Sequence, residues 1–370
     1  MVDVSVIIPV YNSAQWLQET LESLLVQRFT GKWEVSIYND SSTDNSMDII
    51  KSYKDKFISN GIGYVIGSDE STSKPKGVGY TRNKAISQSS GDYLCLQDSV
   101  SAIFTTVCIN IELNVILLLQ DDLMLENRIL LQYQQADDHT LVGSRFIREP
   151  TDSTIRYTKW ANTLNSKQLY TQAFTSFGPT LIIPTWFMSR RLFNKYGPFD
   201  ETGQGTPEDL ILFYNLIRGR ERGEGVELKR VDEPLIVYRY HINNTTLSIN
   251  EETIWELRVK ALEEHVLSKW KYFTIWNAGK QGRRLYRTIS EENKLKVKSF
   301  CDVDSKKIDK GHYTYEESKE KEKPKVPIVH FTKATPPFII CIKWELTGGE
   351  FENNLLSLNL IEGIDYYNFS

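Results

Sequence analysis

The first hundred residues alternate short apolar runs with segments of helical periodicity, and this alternation restricts the fold more than any other feature. Residues 4–10 are almost continuously apolar, which is typical of a parallel strand buried on both faces. Trp16, Leu17, Leu21 and Leu24 then follow at helical spacing. The same pattern predicts further elements at 33–38, 44–57, 62–66, 78–89 and 93–96. It indicates an α/β fold, a parallel sheet with helices on both faces.

Polar residues cluster where three of these strands end. Tyr11-Asn12 follow the first strand, residues 39–44 follow the second, and residues 97–99 follow the fourth. One such cluster is typical of a turn, because Asp, Asn and Ser make turns and helix caps. Three clusters at one edge of a parallel sheet indicate a ligand site, since ligands bind beyond the carboxyl ends of such strands.

A second, smaller α/β unit begins near Phe273. A predicted strand at 274–276 leads through residues 277–282 into a helix, and the next strand carries Asp302. This order resembles a dinucleotide-binding strand–turn–helix unit. Asn277 stands where that fingerprint has its first glycine, so a Rossmann-like domain that holds no nucleotide is an equal alternative.

These patterns predict three parts of the chain. A larger α/β domain spans residues 1–250, a linking helix spans 251–272, and a smaller Rossmann-like α/β domain spans 273–370.

Charge and cysteine content exclude several classes of protein. The chain has 44 Lys and Arg against 48 Asp and Glu, a net charge of −4, which argues against a nucleic-acid partner. Its four cysteines form no Cys-x-x-Cys pair and do not indicate a disulfide scaffold. The N-terminus has no basic region and no cleavage site, so we expect a cytoplasmic protein.

Residues 100–120 are largely apolar and interrupt the α/β pattern. Their length approaches that of a membrane span. However, Asn110, Glu112 and Asn114 lie near the middle of the run, and each is costly in lipid. A span would also place the two halves of one sheet on opposite sides of a membrane. We therefore predict no membrane span.

The same segment has the features of a retained intron. Val100-Ser101 can be encoded by GTAAGT and Gln120 by CAG, which begin and end many introns. Joining Ser99 directly to Asp121 restores the acidic motif Asp98-Ser99-Asp121. We predict a retained intron or an alternative exon, and a family-specific loop is the alternative.

Six short motifs occur over roughly residues 1–245 when this insert is set aside, and together they are specific. They are Val6-Ile7-Ile8-Pro9-Val10-Tyr11-Asn12, Asn39-Asp40-Ser41-Ser42-Thr43-Asp44, Gly79-Tyr80-Thr81-Arg82-Asn83, Asp98-Ser99-Asp121, Pro207-Glu208-Asp209 and Tyr238-Arg239-Tyr240-His241. In content and order they resemble a family 2 glycosyltransferase. The resemblance implies a GT-A nucleotide-diphospho-sugar transferase fold and inverting transfer of a sugar from a UDP-sugar to an acceptor hydroxyl.

The resemblance also implies which residues bind the donor. They are Pro9, Tyr11, Asp40, Arg82 and Asp98. Asp40 would accept a hydrogen bond from uracil, Tyr11 would lie against the base, and Arg82 would contribute charge near the nucleotide. The structural alternatives are a turn aspartate, a core tyrosine and a surface arginine.

A divalent metal, Mn²⁺ or Mg²⁺, is implied by the same motifs. Asp98, Asp121 and His241 are its implied ligands, with Asp98 facing the ribose side. Departure of a diphosphate builds negative charge, which a cation held by hard oxygen ligands neutralises. For His241, a strand-end histidine without a ligand is the alternative.

Asp209 is the implied catalytic base, and Glu208 the orienting or acceptor-binding residue beside it. Inverting transfer requires a carboxylate that takes the proton of the attacking hydroxyl. Alternatively, the two acids only complement the dipole of a helix that begins there.

The insert affects the expected activity. Because it separates Asp98 from Asp121, we expect this chain to bind metal poorly and to transfer little sugar, unless an outward loop keeps the two ends together. Two other functions stay open. A non-catalytic nucleotide-sugar binding or scaffold protein is therefore the second hypothesis. An NAD-dependent oxidoreductase working through the second unit is the third, and Asn277 argues against it.

Overall fold

The structure is a computed structural model. It describes residues 1–69, 74–98, 122–203, 205–240 and 250–370. This part of the chain forms two compact units. The first comprises Met1–Ser166 and Leu181–Asn250, and the second comprises Lys167–Thr180 and Glu251–Ser370. Residues 167–180 thus group with the second unit, although the sequence pattern placed them in the first.

The described elements of the first unit alternate as strands and helices. The strands are β1 (Val4–Val10), β2 (Trp33–Asn39), β3 (Gly63–Ser68), β4 (Tyr93–Leu96), β5 (Leu123–Met124), β6 (Thr140–Glu149), β7 (Phe187–Ser189) and β8 (Glu227–Arg239). The helices are α1 (Ala14–Leu25), α2 (Ser46–Ser59), α3 (Val78–Gln88), α4 (Arg128–Tyr133), α5 (Ile155–Thr163), α7 (Arg190–Tyr196) and α8 (Glu208–Glu221), with a 3₁₀ turn at Ile183–Thr185. The intervening helix α6 (Gln168–Thr171) lies in the second unit.

The described strands of the first unit form one sheet in the order β3-β2-β1-β4-β7-β6-β8-β5. Strands β3, β2, β1 and β4 are parallel. All seven residues of β1 and of β2 are buried, as expected for strands covered on both faces. The predicted α/β fold class is confirmed, and the four predicted strands of this half are present.

Helices α1 and α2 cover the parallel half with apolar side chains. Leu17, Leu21 and Leu24 of α1 and Ile50 and Phe57 of α2 are completely buried. They belong to one core cluster together with residues of β1 and β2. Burial of each such side chain contributes about 1.5–3 kcal/mol, so the helical spacing seen in the sequence fixes these helices on the sheet.

The other half of the sheet is mixed, and the sequence pattern did not predict it. Strand β7 is antiparallel to β4 and β6, β8 is parallel to β6, and β5 is antiparallel to β8. Trp186 is completely buried just before β7. Its indole nitrogen donates to the Leu181 carbonyl at 2.7 Å, so it is a core residue.

The second unit contains a smaller, mostly parallel sheet. Its described strands are β9 (Phe273–Trp276), β10 (Val297–Asp302), β11 (His312–Thr314), β12 (Lys325–His330), β13 (Phe338–Ile340) and β14 (Tyr366–Asn368). Its other helices are α9 (Glu251–His265), α10 (Lys280–Thr288), α11 (Glu291–Leu295), α12 (Ser305–Asp309) and α13 (Glu350–Ser357), with 3₁₀ turns at Leu267–Lys269 and Phe331–Lys333. The order β11-β12-β10-β9-β13-β14 contains the Rossmann-like arrangement of five parallel strands.

The predicted insert, residues 100–120, lies outside the described residues. Among the residues that the structure does describe, no helix has both the length and the hydropathy needed to cross a bilayer.

Gly79 lies where α3 comes close to the backbone of another part of the first unit. A Cβ atom built at Gly79 would lie 2.1 Å from the backbone oxygen of Asp200. A backbone carbonyl cannot rotate away as a flexible side chain does. Gly79 is therefore required for the packing of α3 rather than for its helical conformation.

We expect Gly79→Ala to lower the free energy of unfolding by about 1–3 kcal/mol, the usual cost of overpacking. At an ordinary helical position the same change stabilises, because alanine has the higher helix propensity. Urea denaturation measures the difference. Ser87→Ala, on an exposed site of the same helix, is the control and should change stability by less than about 0.5 kcal/mol. Equal effects of the two substitutions would contradict the role given to Gly79.

Candidate active site

The loops after β1 and β2 are hydrogen-bonded to each other at the carboxyl edge of the first sheet. The Asn12 side chain accepts from the Thr43 backbone N–H at 2.7 Å, and the Asn12 N–H donates to the Ser42 hydroxyl at 2.8 Å. The Asp44 carboxylate accepts from the Ala14 N–H at 2.9 Å. Two of the three polar clusters seen in the sequence are therefore in direct contact.

Asp40 lies at this edge and is almost completely buried, with 1% of its surface exposed. Its carboxylate accepts from the backbone N–H groups of Lys76 and Gly77, with its shortest contacts at 2.9 and 3.0 Å, and from the Thr81 hydroxyl at 3.1 Å. These bonds hold the segment that enters α3. Asp40 is thus a structural anchor of the site, and its predicted contact with uracil stays a prediction.

Pro9 and Tyr11 flank the end of β1. Pro9 is buried within the strand, and Tyr11 is partly exposed just beyond it. A ligand at the carboxyl edge can therefore reach Tyr11.

A buried ion network links three elements at the centre of the site. The Arg82 guanidinium, 3% exposed on α3, donates to the Asp98 carboxylate at 2.7 Å and also to the Glu208 carboxylate. Asp98 follows β4, and Glu208 opens α8. The charge of Arg82 thus lies between two of the predicted site acids. Its predicted position near the nucleotide stays a prediction.

The two acids at the start of α8 differ in accessibility. Glu208 is buried against Arg82, whereas Asp209 is partly exposed. Burial raises the pKa of Glu208 to about 7, with Arg82 opposing the shift and Asp209 adding to it. Burial also raises the pKa of Asp209, and the nearby Asp98 charge adds to this shift, while Arg82 and the Leu210 N–H oppose it. Asp209 is therefore the acid of the pair that a ligand can reach.

Gln97 holds together the two ends of the described chain that flank residues 99–121. Its side-chain amide nitrogen donates to the Asp122 carbonyl at 2.9 Å and to the Asp98 carbonyl at 3.3 Å. Its amide oxygen accepts from the buried Arg128 at 2.9 Å. The last described residue before this gap and the first one after it therefore bond to the same side chain.

Asp122 is a site residue that the sequence motifs did not identify. It is 3% exposed, and its carboxylate accepts from the Arg239 N–H at 2.9 Å. Burial raises its pKa well above the usual range, and the nearby Asp98 charge adds to the shift. Its position directly after the acidic motif was the sequence signal that could have identified it.

Of the predicted metal ligands, Asp121 and His241 lie outside the described residues, and Asp98 bonds to Arg82. Within the described ranges, no group of three His, Cys, Asp or Glu side chains is arranged to hold a cation. Asp98 and Asp122 still supply the carboxylate oxygens that Mg²⁺ and Mn²⁺ prefer. Both acids are buried and Gln97 bonds to the carbonyls of both, so these residues fit a divalent cation.

The corresponding edge of the second unit is filled by its own side chains. Asn277 donates to the Cys341 carbonyl at 2.8 Å and accepts from the Gly279 N–H at 2.6 Å, which spans the gap between β9 and β13. The Asp302 carboxylate accepts from the Ala278 N–H and from Lys307, each at 2.9 Å. These contacts favour the alternative in which this unit binds no dinucleotide.

Residues 5–99 match the family model described as Glycosyl transferase family 2. This range contains nearly all of β1 to β4 and five predicted site residues, Pro9, Tyr11, Asp40, Arg82 and Asp98. The resemblance to family 2 is confirmed for this part of the chain.

Two curated relatives match a region of similar size. The poly(ribitol-phosphate) beta-glucosyltransferase of Bacillus spizizenii is 36% identical over 97 residues, 26% of this chain and 14% of that protein. The poly(ribitol-phosphate) beta-N-acetylglucosaminyltransferase TarS of Staphylococcus aureus is 34% identical over 100 residues, 27% of this chain and 16% of that protein. The match thus spans less than a fifth of either relative's length. Both names agree with the predicted enzyme class.

A solved structure, S. aureus TarS 1-349 in complex with UDP-GlcNAc, is also similar. Its sequence identity is 18% and its TM-score 0.49, and the alignment covers 78% of this chain and 71% of that chain.

The raised pKa of Glu208 makes stability depend on pH. Between its ordinary value of 4.5 and its folded value of about 7, the folded state holds a proton that the unfolded state has released. The free energy of unfolding therefore falls as pH rises, by about 1.4 kcal/mol per unit for one fully linked proton. Denaturation of the parent chain and of Glu208→Gln should be measured across this pH range. As the pH rises, the free energy of unfolding of the parent should fall relative to that of the variant.

The matched control is Glu233→Gln, which removes one carboxylate at an exposed site of the same unit. Its stability difference from the parent should be constant with pH. A constant difference for Glu208→Gln as well would contradict the assigned shift.

Proposed function

We propose that this chain is an inverting glycosyltransferase that moves a sugar from a UDP-sugar to an acceptor hydroxyl. The observation that carries the proposal is the buried network of Arg82, Asp98 and Glu208. It joins Asp98, which follows β4, to Glu208, which precedes Asp209 at the start of α8. The predicted donor-binding acid and the predicted catalytic base therefore belong to one charged cluster. The match of residues 5–99 to family 2 supports the same reaction class.

The uridine half of the donor is proposed to bind over the ends of β1 and β2. Tyr11 is partly exposed there, and Asp40 holds the segment before α3 through its bonds to Lys76 and Gly77. Its Oδ2 atom accepts from three donors, whereas Oδ1 has, among the described residues, only the 3.1 Å contact from the Lys76 N–H, so Oδ1 is proposed to accept from a uracil N–H.

Asp98 and Asp122, with Asp121 and His241 as further predicted ligands, would hold a divalent cation. When bound, the cation would neutralise the charge that develops on the departing diphosphate. Arg82 holds Asp98 in place at 2.7 Å. Removing Arg82 would leave two buried carboxylates without their shared partner.

Asp209 is proposed to take the proton of the acceptor hydroxyl while that oxygen bonds to the anomeric carbon and the bond to the diphosphate breaks. Its partial exposure lets an acceptor reach it, and its raised pKa makes it a stronger base than an ordinary aspartate. Glu208, held by Arg82, would orient Asp209 and the acceptor.

The sugar is proposed to be N-acetylglucosamine. Residues 180–187 and 273–284 resemble segments of a UDP-GlcNAc:βGal β-1,3-N-acetylglucosaminyltransferase-like protein. The TarS relative is also named as an N-acetylglucosaminyltransferase. The same resemblance favours a β-galactoside as the acceptor.

A nucleotide-sugar binding protein without catalysis is the second candidate. One observation favours it: the insert separates Asp98 from Asp121 in the sequence. Binding of UDP without turnover distinguishes it from the transferase.

Asp209→Asn should reduce UDP release from UDP-GlcNAc in the presence of Mn²⁺ by about 10²–10⁴-fold, the usual contribution of a general base. UDP affinity should change little, because the base acts on the acceptor. Asp55→Asn, on an exposed face of α2, is the matched control and should retain full activity. Equal activity of Asp209→Asn and the parent would contradict the assigned base.

Deletion of residues 100–120 tests the role of the insert. We expect UDP affinity to change by less than about threefold, because Gln97 holds Asp98 and Asp122 together in the longer chain already. Turnover should rise at least tenfold, because Asp121 then follows Ser99 directly and metal coordination tolerates only small errors in ligand distance.

Equal turnover of the two chains would show that the insert is a tolerated loop. Binding of UDP without turnover in both chains would favour the non-catalytic candidate.

A further inference from the structure

Arg148 is a buried cation in which two of the three guanidinium nitrogens lack acceptors among the described residues. It lies one residue before the end of β6 and is 5% exposed. Its Nε and Nη1 atoms are buried, and no hydrogen-bond partner exists for them in the described part of the chain. A buried charge is unfavourable unless it is paired, so we expect a partner that accepts hydrogen bonds from these two nitrogens.

The other buried arginines described in the first unit have such partners. Arg82 pairs with two carboxylates, and Arg239 pairs with Glu149 at 2.6 Å. Arg128 donates to two glutamine side chains and to the Leu96 carbonyl. Among the described residues, no carboxylate pairs with Arg148 in this way. The difference sets Arg148 apart as a site for a ligand.

Arg148 lies beside the acids of the proposed active site. It pairs in register with Tyr238 of β8, while Val237 pairs with Leu123, the residue after Asp122. The guanidinium carbon lies 4.2 Å from the centre of the Tyr238 ring and 5.2 Å from that of Tyr240. Its charge also opposes the rise in the pKa of Asp122 caused by burial.

We infer that Arg148 binds a phosphate-type oxyanion in the transfer site. A guanidinium donates charge-assisted hydrogen bonds to such oxygens, and Nε and Nη1 of Arg148 have no other partner in the described part of the chain. The inference rests on the proposed function, in which a UDP-sugar brings a diphosphate. An acidic group of the acceptor has the same chemistry and is the other source.

The test compares Arg148→Met and Arg148→Lys with Arg145→Met. Arg145 lies on the same strand, and its guanidinium pairs with Asp232 at 3.3 Å. Calorimetric titrations use UDP, uridine and inorganic phosphate. Arg148→Met should weaken UDP binding about tenfold, as expected for a lost charge-assisted hydrogen bond, and leave uridine binding unchanged. Arg148→Lys should retain part of the affinity, and Arg145→Met all of it.

The titrations also separate the two sources of the oxyanion. Loss of phosphate binding with unchanged UDP affinity in Arg148→Met would support the site and assign it to an acidic acceptor. If neither ligand depends on Arg148, the inference is overturned.

Thermal unfolding of the ligand-free variants excludes a folding defect. Arg148→Met should unfold at the same temperature as the parent or at a higher one, because an unpaired buried charge is removed. A large fall would show that Arg148 has a structural partner and would overturn the inference. Because these measurements need no turnover, their failure is distinct from failure of the transfer reaction, which Asp209→Asn reports.

Discussion

The first unit depends on one buried charge. The Arg82 guanidinium is 3% exposed and holds Asp98 and Glu208, which belong to different elements of the fold. Breaking a buried pair by removal of one partner typically costs about 3–5 kcal/mol, because the remaining charge stays uncompensated. Helix α3, the end of β4 and the start of α8 are therefore coupled through a single side chain.

The same coupling sets the chemistry of the acids. Burial of Glu208 raises its pKa to about 7, although its pairing with Arg82 opposes this shift. Asp209, one residue along the helix, is partly exposed and free to meet a ligand. Two neighbouring carboxylates thus have different roles because their surroundings differ.

Much of this site could be predicted from sequence, because the relevant segments are local. The strands and helices of the parallel half follow from apolar periodicity, and Asp40, Arg82, Asp98, Glu208 and Asp209 stand in short motifs. Asp122 and Arg148 could not be assigned in the same way. The surroundings of Arg148 depend on β8 and the residue that follows it, because Tyr238 and Tyr240 supply the aromatic rings against its guanidinium.

The sequence by itself determined the α/β class, the parallel strands and the set of acids at their ends, because each depends on the period of nearby residues. Only the tertiary structure decided which charges meet. The Arg82–Glu208 pair joins residues far apart in the chain, and Gln97 brings Asp98 beside Asp122 across the insert. Pairing and burial are properties of packed elements, so they also decide the pKa of each acid.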